Sequence, residues 1–346
     1  MDVTPDSGPD GSPRDGGAPA ASAASIELQE IRKQYDDGTV AVEGLSLSVA
    51  AGELVVLIGP SGCGKSTVLR MINRLIEPSG GRILLDGDDV TQVDAVKLRR
   101  RIGYVIQNVG LFPHQTIRTN VGTVPRLLGW SKAQVRARSD ELLDLVGLDP
   151  SRFGKRYPHE LSGGQRQRVG VARALAADPV VLLMDEPFSA VDPIVRGRLQ
   201  EEFLRLQAEV RKTIVLVTHD LDEAVRLGDR IAVLSQGGHL EQFASPAVLL
   251  GEPASPFVRE FVGADRGIRR LAVTSIDEQM LAPLSTVDDA GGLPTVELKT
   301  SLYDALAAML VSNADYVRVV RPDGEPAGLL SRHRVLSIDY PAEKSE

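Results

Sequence analysis

Apolar and polar residues alternate in two early stretches, SIELQEIRKQY (25–35) and VEGLSLSVA (42–50). A period of two puts one face toward a core and the other toward water, which predicts strands of a half-exposed antiparallel sheet. GELVVLIG (52–59) breaks that alternation with a continuous apolar run of strand length, the pattern of a strand buried on both faces of a parallel sheet. RIGYVIQ, VVLLMDEP, TIVLVTHD and DRIAVLSQGG read the same way, and PSGGRILLDGDDV reads as turn, strand, turn. Between these runs the period lengthens. From Lys65 onward, Val68, Ile72, Leu75 and Ile76 recur at helical spacing. Residues 115–177 carry helical patterns throughout. KAQVRARSDELLDLVGL has Val135, Leu142, Leu143, Leu145 and Val146 among charges and runs into a Gly-Leu-Asp-Pro stop, and GQRQRVGVARALAADP follows it. A helix over about 193–210 comes next. Strands alternating with helices predict a doubly wound α/β core, and the helical segment sits as an insert between two of its strands.

The pattern restarts near residue 265, after the polar stretch VGADRGIRR. PTVEL predicts a strand, and TSLYDALAAMLVSN a helix with a capping box of Ser301 and Asp304. Leu302, Ala305, Leu306, Met309 and Leu310 of that helix share one face. YVRVV and AGLL, joined by the turn PDGEP, predict two more strands, and SRHRVL a short helix. The result is a small β-α-β-β-α unit. Its core is meagre, so the face with Leu302, Leu306 and Met309 is expected to meet a second chain. Residues 1–25 are Gly, Pro, Ala, Ser and Asp with little to bury, and predict a disordered tail.

Charge and composition then exclude several classes. The net charge of −8, with an isoelectric point near 5.3, argues against a broad nucleic-acid surface. The KLRRR run (97–101) reads as a solvated helix end before a buried strand. A single cysteine rules out an intrachain disulfide and fits a cytosolic chain. No apolar run approaches the ~18 residues of a membrane span, and the N-terminus lacks the basic start and apolar stretch of a signal peptide.

The chemistry concentrates in a few places. GPSGCGKS matches the phosphate-loop pattern G-x-x-x-x-G-K-[ST] after a strand and before a helix. Gly59, Pro60, Ser61, Gly62, Cys63, Gly64, Lys65, Ser66 and Thr67 are therefore candidate nucleotide-binding residues. Lys65 suits the β- and γ-phosphates, and Ser66 a Mg²⁺ ion. Asp185 and Glu186 end a buried strand, at the crevice where α/β sheets bind ligands. Asp185 suits Mg²⁺ through water, and Glu186 suits polarising an attacking water. Gln107 and His219 follow two other strands of the same sheet, and Tyr35 is a candidate for stacking on a base. The other histidines show no metal-ligand spacing. LSGGQRQR (161–168) looks like a second anion-binding turn at a helix N-terminus, although one nucleotide needs one cradle.

Taken together, these motifs resemble the nucleotide-binding subunits of ABC transporters over about residues 26–262. In that resemblance Tyr35 takes the adenine-stacking position, GPSGCGKS is the Walker A loop, Gln107 the Q-loop and LSGGQ the family signature. LLMDE is Walker B with Glu186 as catalytic glutamate, Ser189–Asp192 (SAVD) is the D-loop, and His219 is the switch histidine. The resemblance implies ATP with Mg²⁺ held by Ser66, Gln107 and Asp185. It also implies a head-to-tail homodimer in which Ser162, Gly163, Gly164, Gln165 and Asp192 of one subunit complete the site of the other. The second turn thus reads a partner's nucleotide.

TIRTNVGTVPRLLGW and RYPHELSGGQRQRVGVARALAADPVVLLMDEPFSAVDPIVR further resemble the importer ATPases that serve osmoprotectants such as glycine betaine, carnitine and choline. SLYDALAAMLVSNADYVRVVRPDGEPAGLLS resembles a CBS motif, a frequent ending in that branch, present here in one copy. The expected organisation is a tail (1–25), a P-loop ABC ATPase domain (26–264) with an antiparallel β subdomain and a helical insert at about 110–177, and a CBS-like α+β domain (265–346). The expected setting is the cytoplasmic face of the membrane, bound peripherally to transmembrane permease subunits, one of whose helices docks near Gln107 and the helical insert. A solute-binding protein acts further away and nucleic acid has no part. The rival readings are an importer ATPase for another solute, such as an amino acid, and a soluble, non-transport ABC ATPase acting on nucleic acid or ribosomes.

Overall fold

The computed structural model describes residues 22–107, 109–189, 191–286 and 292–337. Residues 1–21 of the expected tail lie outside that set, and its last residues are not a tail: Ala24 is buried in the second core, its carbonyl accepts the Thr213 hydroxyl at 2.6 Å, and the Ser25 carbonyl accepts the Asp86 N–H at 2.9 Å. In chain order the strands are β1 (Ile26–Gln34), β2 (Val40–Val49), β3 (Leu54–Ile58), β4 (Gly80–Leu85), β5 (Asp88–Asp89), β6 (Ile102–Val105), β7 (Val181–Asp185), β8 (Thr213–Val217), β9 (Arg230–Leu234), β10 (Leu240–Ala244), β11 (Thr295–Glu297), β12 (Tyr316–Val320) and β13 (Pro326–Ser331). They form three sheets. An antiparallel sheet has the order β2-β1-β4-β5, and a six-stranded sheet the order β10-β9-β3-β8-β7-β6. In the latter β9, β3, β8, β7 and β6 run parallel, and β10 pairs antiparallel with β9.

The hydrophobic pattern accounts for this layering. Along β3, Leu54, Val56 and Ile58 enter one core while Val55 and Leu57 enter the other. Both faces of the strand are covered, which is why it reads as one unbroken apolar run. The first core takes in the helical segment, with Ile117, Leu142, Leu143 and Val169, and the helix Pro193–Val210, with Leu199 and Phe203. The second takes in the antiparallel sheet and the helix Lys65–Ile72, with Val68, Leu69 and Met71. The strand expected at RIGYVIQ ends at Val105 and is the sheet's edge, so Ile106 is exposed.

Three expectations need correction. The helix from Lys65 stops at Ile72: Asn73 caps it, Arg74 has a left-handed φ of 49°, and Leu75 is left exposed. Periodicity had carried the helix one turn too far, because it cannot register a backbone reversal. The restart expected after the polar stretch near 265 begins within it, at the helix Arg266–Val273, which packs on the helix Pro246–Gly251, with Arg270 against Gly251. Val273 joins the first core and Leu271 the C-terminal one, so this helix bridges the two. The face with Leu302, Leu306 and Met309 does not await a second chain: Leu302, Ala305 and Met309 are fully buried in their own unit with Ile276, Val317 and Leu330.

That unit is the three-stranded sheet β11-β12-β13, with the helices Leu302–Ser312 and Arg332–Leu336. The apolar residues left outside on the first helix are Tyr303, Leu310 and Val311. Its capping box is half made. The Ser301 hydroxyl oxygen accepts the Asp304 N–H at 3.0 Å, but the Asp304 carboxylate takes the Ser301 hydroxyl proton at 2.7 Å instead of reaching the Ser301 backbone.

Candidate active site

Four neighbouring parallel strands, β3, β8, β7 and β6, end on one side of the six-stranded sheet. Each delivers one piece of the site at or just past its last residue. β3 leads into the loop Gly59–Gly64 and the helix Lys65–Ile72. The loop squeezes between β9 and β2. Gly59 has φ 150°, and a Cβ there would lie 2.1 Å from the Leu234 carbonyl oxygen; Gly64 has φ 102°, and a Cβ there would lie 2.4 Å from the Ala41 carbonyl oxygen. Only glycine fits either position. The buried Lys65 ammonium curls back to donate to the Gly59 carbonyl at 2.8 Å and the Pro60 carbonyl at 2.9 Å. Those bonds go to neutral oxygens, so the cation and the amides at the helix N-terminus form a cradle ready for an anion. Cys63 is buried in the second core and acts there as a small apolar residue. Tyr35 stands over the same helix, its hydroxyl 3.5 Å from Thr67 Oγ1, with the Lys33 ammonium 5.3 Å from its ring centre.

β7 ends in Asp185, whose Oδ1 accepts the Ser66 hydroxyl at 2.9 Å across a separation of 119 residues. Burial raises the Asp185 carboxyl above its ordinary range, with the neighbouring Glu186 adding to the rise and the Ser66 bond opposing it. Glu186 follows in a left-handed conformation, φ 46°, held by its N–H on the Val217 carbonyl at 2.9 Å. Its carboxylate accepts Gln107 Nε2 at 2.6 Å on one oxygen and lies 3.3 Å from His219 Nδ1 on the other. Three strand ends thus converge on one carboxylate. Gln107 spends its amide on Glu186, and among the described residues no hydrogen bond joins it to Ser66 or Asp185.

The second glycine turn is built differently. Ser162 caps the helix Gly163–Leu175: its oxygen accepts Gln165 N–H at 3.3 Å, and Gln165 Oε1 accepts Ser162 N–H at 3.0 Å. Ser162 is exposed, Gly163 and Gly164 are half-buried, and among the described residues no hydrogen bond ties this turn to the Gly59–Ser66 loop. Asp192 is exposed, and Ala190, within the expected Ser189–Asp192 motif, lies outside the described residues.

The sequence reading missed one group beneath His219. Thr218, Asp220, Glu223 and Arg196 are linked by hydrogen bonds, and Glu223 is only 5% exposed. An acidic residue three positions after Asp220 looks like an ordinary first-turn helix residue, and nothing in the pattern signals its burial.

Among the described residues no three His, Cys, Asp or Glu side chains converge as a metal cluster. The Ser66 hydroxyl and the Asp185 carboxylate are hard oxygen donors in contact. Such a sparse pair fits Mg²⁺, which keeps several waters and takes further ligands from phosphates. The strand-loop-helix with a buried lysine, beside a strand-end carboxylate pair, defines a phosphate-loop nucleotide-binding protein.

Residues 42–189 match the ABC transporter family model. The osmoprotectant import ATP-binding protein OsmV of Salmonella typhimurium is 50% identical over 311 residues, covering 89% of this chain and 79% of that protein. The glycine betaine/carnitine/choline transport ATP-binding protein OpuCA of Bacillus subtilis is 52% identical over 295 residues, covering 85% of this chain and 75% of that one. Among solved structures, the ATP-binding cassette MJ0796, a dimer in a post-hydrolysis state bound to ADP and Pi, superposes with a TM-score of 0.58 at 35% identity, covering 64% of this chain and 98% of that one. The chain belongs to the ATP-binding proteins of ABC transporters.

Proposed function

We propose that this chain is the ATPase subunit of an importer for an osmoprotectant, a quaternary amine such as glycine betaine. The observation that carries the reading is the reach of the similarity: at 50% identity or more, it extends past the segment 42–189 to most of the chain. In this reading Tyr35 stacks on adenine, the amides of Gly59–Thr67 and the Lys65 ammonium bind the phosphates, and Ser66, Asp185 and Gln107 hold Mg²⁺. The metal supplies charge neutralisation at the phosphate oxygens. Glu186 accepts the proton of the attacking water. Gln107 and His219 fix its carboxylate in place, an arrangement supported by the 2.6 Å and 3.3 Å contacts. Its strained backbone aims the side chain into the site.

Each loop by itself offers an incomplete anion site. Two subunits pair head to tail, so that Ser162–Gln165 and Asp192 of the partner subunit close over the nucleotide and exclude water. No helix among the described residues is long and apolar enough to cross a membrane. In this reading, which rests on the importer subunits the chain resembles, it works from the cytoplasmic face on separate permease subunits fed by a solute-binding protein. In this reading 26–264 is the ATPase domain and the C-terminal unit a CBS-like domain. The test is uptake of radiolabelled glycine betaine by cells whose only such importer contains this subunit. Uptake that depends on Lys65 supports the assignment. Uptake of an amino acid in its place moves the chain to the rival importer class, and ATPase activity with no dependence on a permease removes transport.

A further inference from the structure

His219 is exposed, and its neighbours on both sides are not free to move. Thr218 is buried at the end of β8, and its N–H donates to the Leu57 carbonyl, one residue before the end of the strand that leads into the phosphate loop. Its hydroxyl oxygen accepts the Asp220 N–H at 3.0 Å and donates its proton to Glu223 Oε2 at 2.7 Å. The Asp220 carboxylate caps the helix Leu221–Leu227, accepting from Asp222 N at 2.9 Å and Glu223 N at 3.2 Å. Its other oxygen meets the Arg196 guanidinium at 3.2 Å. Arg196 in turn donates to the Val191 carbonyl at 3.3 Å, within the Ser189–Asp192 segment. The chain of bonds runs from Glu223 through Thr218 and Asp220 to both flanks of His219, and on through Arg196 to the residue before Asp192.

Glu223 is poorly served by a structural role alone. Its Oε1 is buried and, among the described residues, has no hydrogen-bond partner. Burial, with Asp220 nearby, pushes its carboxyl up to about 7, against the Thr218 bond, Arg196 and His219. A buried carboxyl with one oxygen unpaired destabilises a fold, and an apolar residue of similar size does not. What a leucine lacks is the acceptor that fixes the Thr218 hydroxyl.

We propose that Glu223 is a positioning residue for ATP hydrolysis: through Thr218 and Asp220 it sets the turn that holds His219 against Glu186, and it joins that turn to the segment carrying Asp192. This rests on the reading of Glu186 and His219 given above. Loss of the Glu223 acceptor frees the Thr218 hydroxyl, loosens the Asp220 N–H that bonds to it, and lets the His219 backbone drift from a contact that is only 3.3 Å long. Nucleotide binding at Gly59–Thr67 is made by another loop and stays.

The test uses the full chain and steady-state hydrolysis of Mg-ATP, with binding of a fluorescent ATP analogue measured on the same preparations. Glu223→Ala and Thr218→Val each lower kcat about 10- to 100-fold, the scale of a small misplacement in a catalytic constellation, and leave nucleotide affinity within about two-fold. Glu223→Gln keeps an acceptor for Thr218 and stays within about three-fold of the wild-type kcat. Because both alanine and valine changes break the same bond, the double variant is no slower than the worse single one. Wild-type kcat in Glu223→Ala, or equal losses in the alanine and glutamine variants, overturns the proposal, as do losses that add in the double variant. Glu186→Gln run in parallel separates the two failures. If it abolishes turnover while Glu223→Ala does not, only the role of Glu223 falls; if it hydrolyses normally, the underlying assignment of the site falls with it.

Discussion

The raised carboxyl of Glu223 predicts a pH-dependent stability difference between the wild type and Glu223→Gln. The ordinary value for this group is 4.5, and the folded value is about 7. Between them the folded chain keeps a proton that the unfolded chain has released, so stability falls as pH rises through that window. Each pH unit of that difference is worth ~1.36 kcal/mol, so ionised Glu223 costs the fold about 3 kcal/mol in full, of which about 2.5 kcal/mol falls between pH 5 and pH 8. The group is 5% exposed, so solvent screening does little to reduce this. The amide cannot ionise. Whatever its own packing contributes is the same at both pH values and cancels in the comparison. The assay is urea unfolding followed by circular dichroism, with both proteins measured at each pH so that all other titrating groups subtract out. The Glu223→Gln chain should gain about 2–3 kcal/mol on the wild type between pH 5 and pH 8. Parallel curves over that range, with a constant difference, would show that Glu223 ionises near its ordinary value and would refute the reasoning.

The other predictions concern the reading of the site. Glu186→Gln retains ATP binding but lowers turnover ~10²–10⁴-fold, the usual worth of a positioned base. It also accumulates an ATP-bound dimer on gel filtration, and a variant that hydrolyses normally takes Glu186 out of its role. Ser162→Arg and Lys65→Ala are each inactive alone, yet mixing them restores part of the activity, because one composite site in the heterodimer carries neither defect. Full hydrolysis by Ser162→Arg alone refutes action in trans. If the exposed Tyr303, Leu310 and Val311 of the C-terminal unit pair two chains, the full chain is a dimer without ATP, and deleting residues 275–346, a cut that spares the bridging helix Arg266–Val273, gives a monomer by analytical ultracentrifugation with hydrolysis intact. A truncated chain that is still a dimer without ATP removes the C-terminal unit from dimer formation.

How much of this was legible in the sequence varies from one element to another. GPSGCGKS carries its own geometry, because the two glycines whose added Cβ atoms would strike the Leu234 and Ala41 carbonyls are the residues the motif requires. The burial of β3, β7 and β8 was equally plain, since a strand covered on both faces has no polar positions to spare. Ser162 and Gln165 formed their capping box as local chemistry dictates. Each of these features leaves its signal within a short window of sequence, even where the partner that uses it is distant, as Leu234 is from Gly59.

What needed the fold is long-range. Gln107, Glu186 and His219 meet only because β6, β7 and β8 lie side by side in that order, and no residue pattern states strand order. The end of the first helix at Ile72, and the inward turn of Leu302 and Met309, were settled by a backbone reversal and by what the C-terminal sheet covers. Arg266–Val273 has no residue buried outright, and it leans on the helix Pro246–Gly251 through Arg270 over Gly251, a contact between a cation and a glycine that apolar spacing does not mark. Glu223 is the sharpest case. By itself it is one more acid in the first turn of a helix, where the dipole favours acids and solvent is the default surrounding. Its burial and its hold on Thr218 come from the seating of its helix against β3 and from Arg196 of the helix Pro193–Val210 on Asp220, an arrangement of the assembled sheet and of no local stretch of chain.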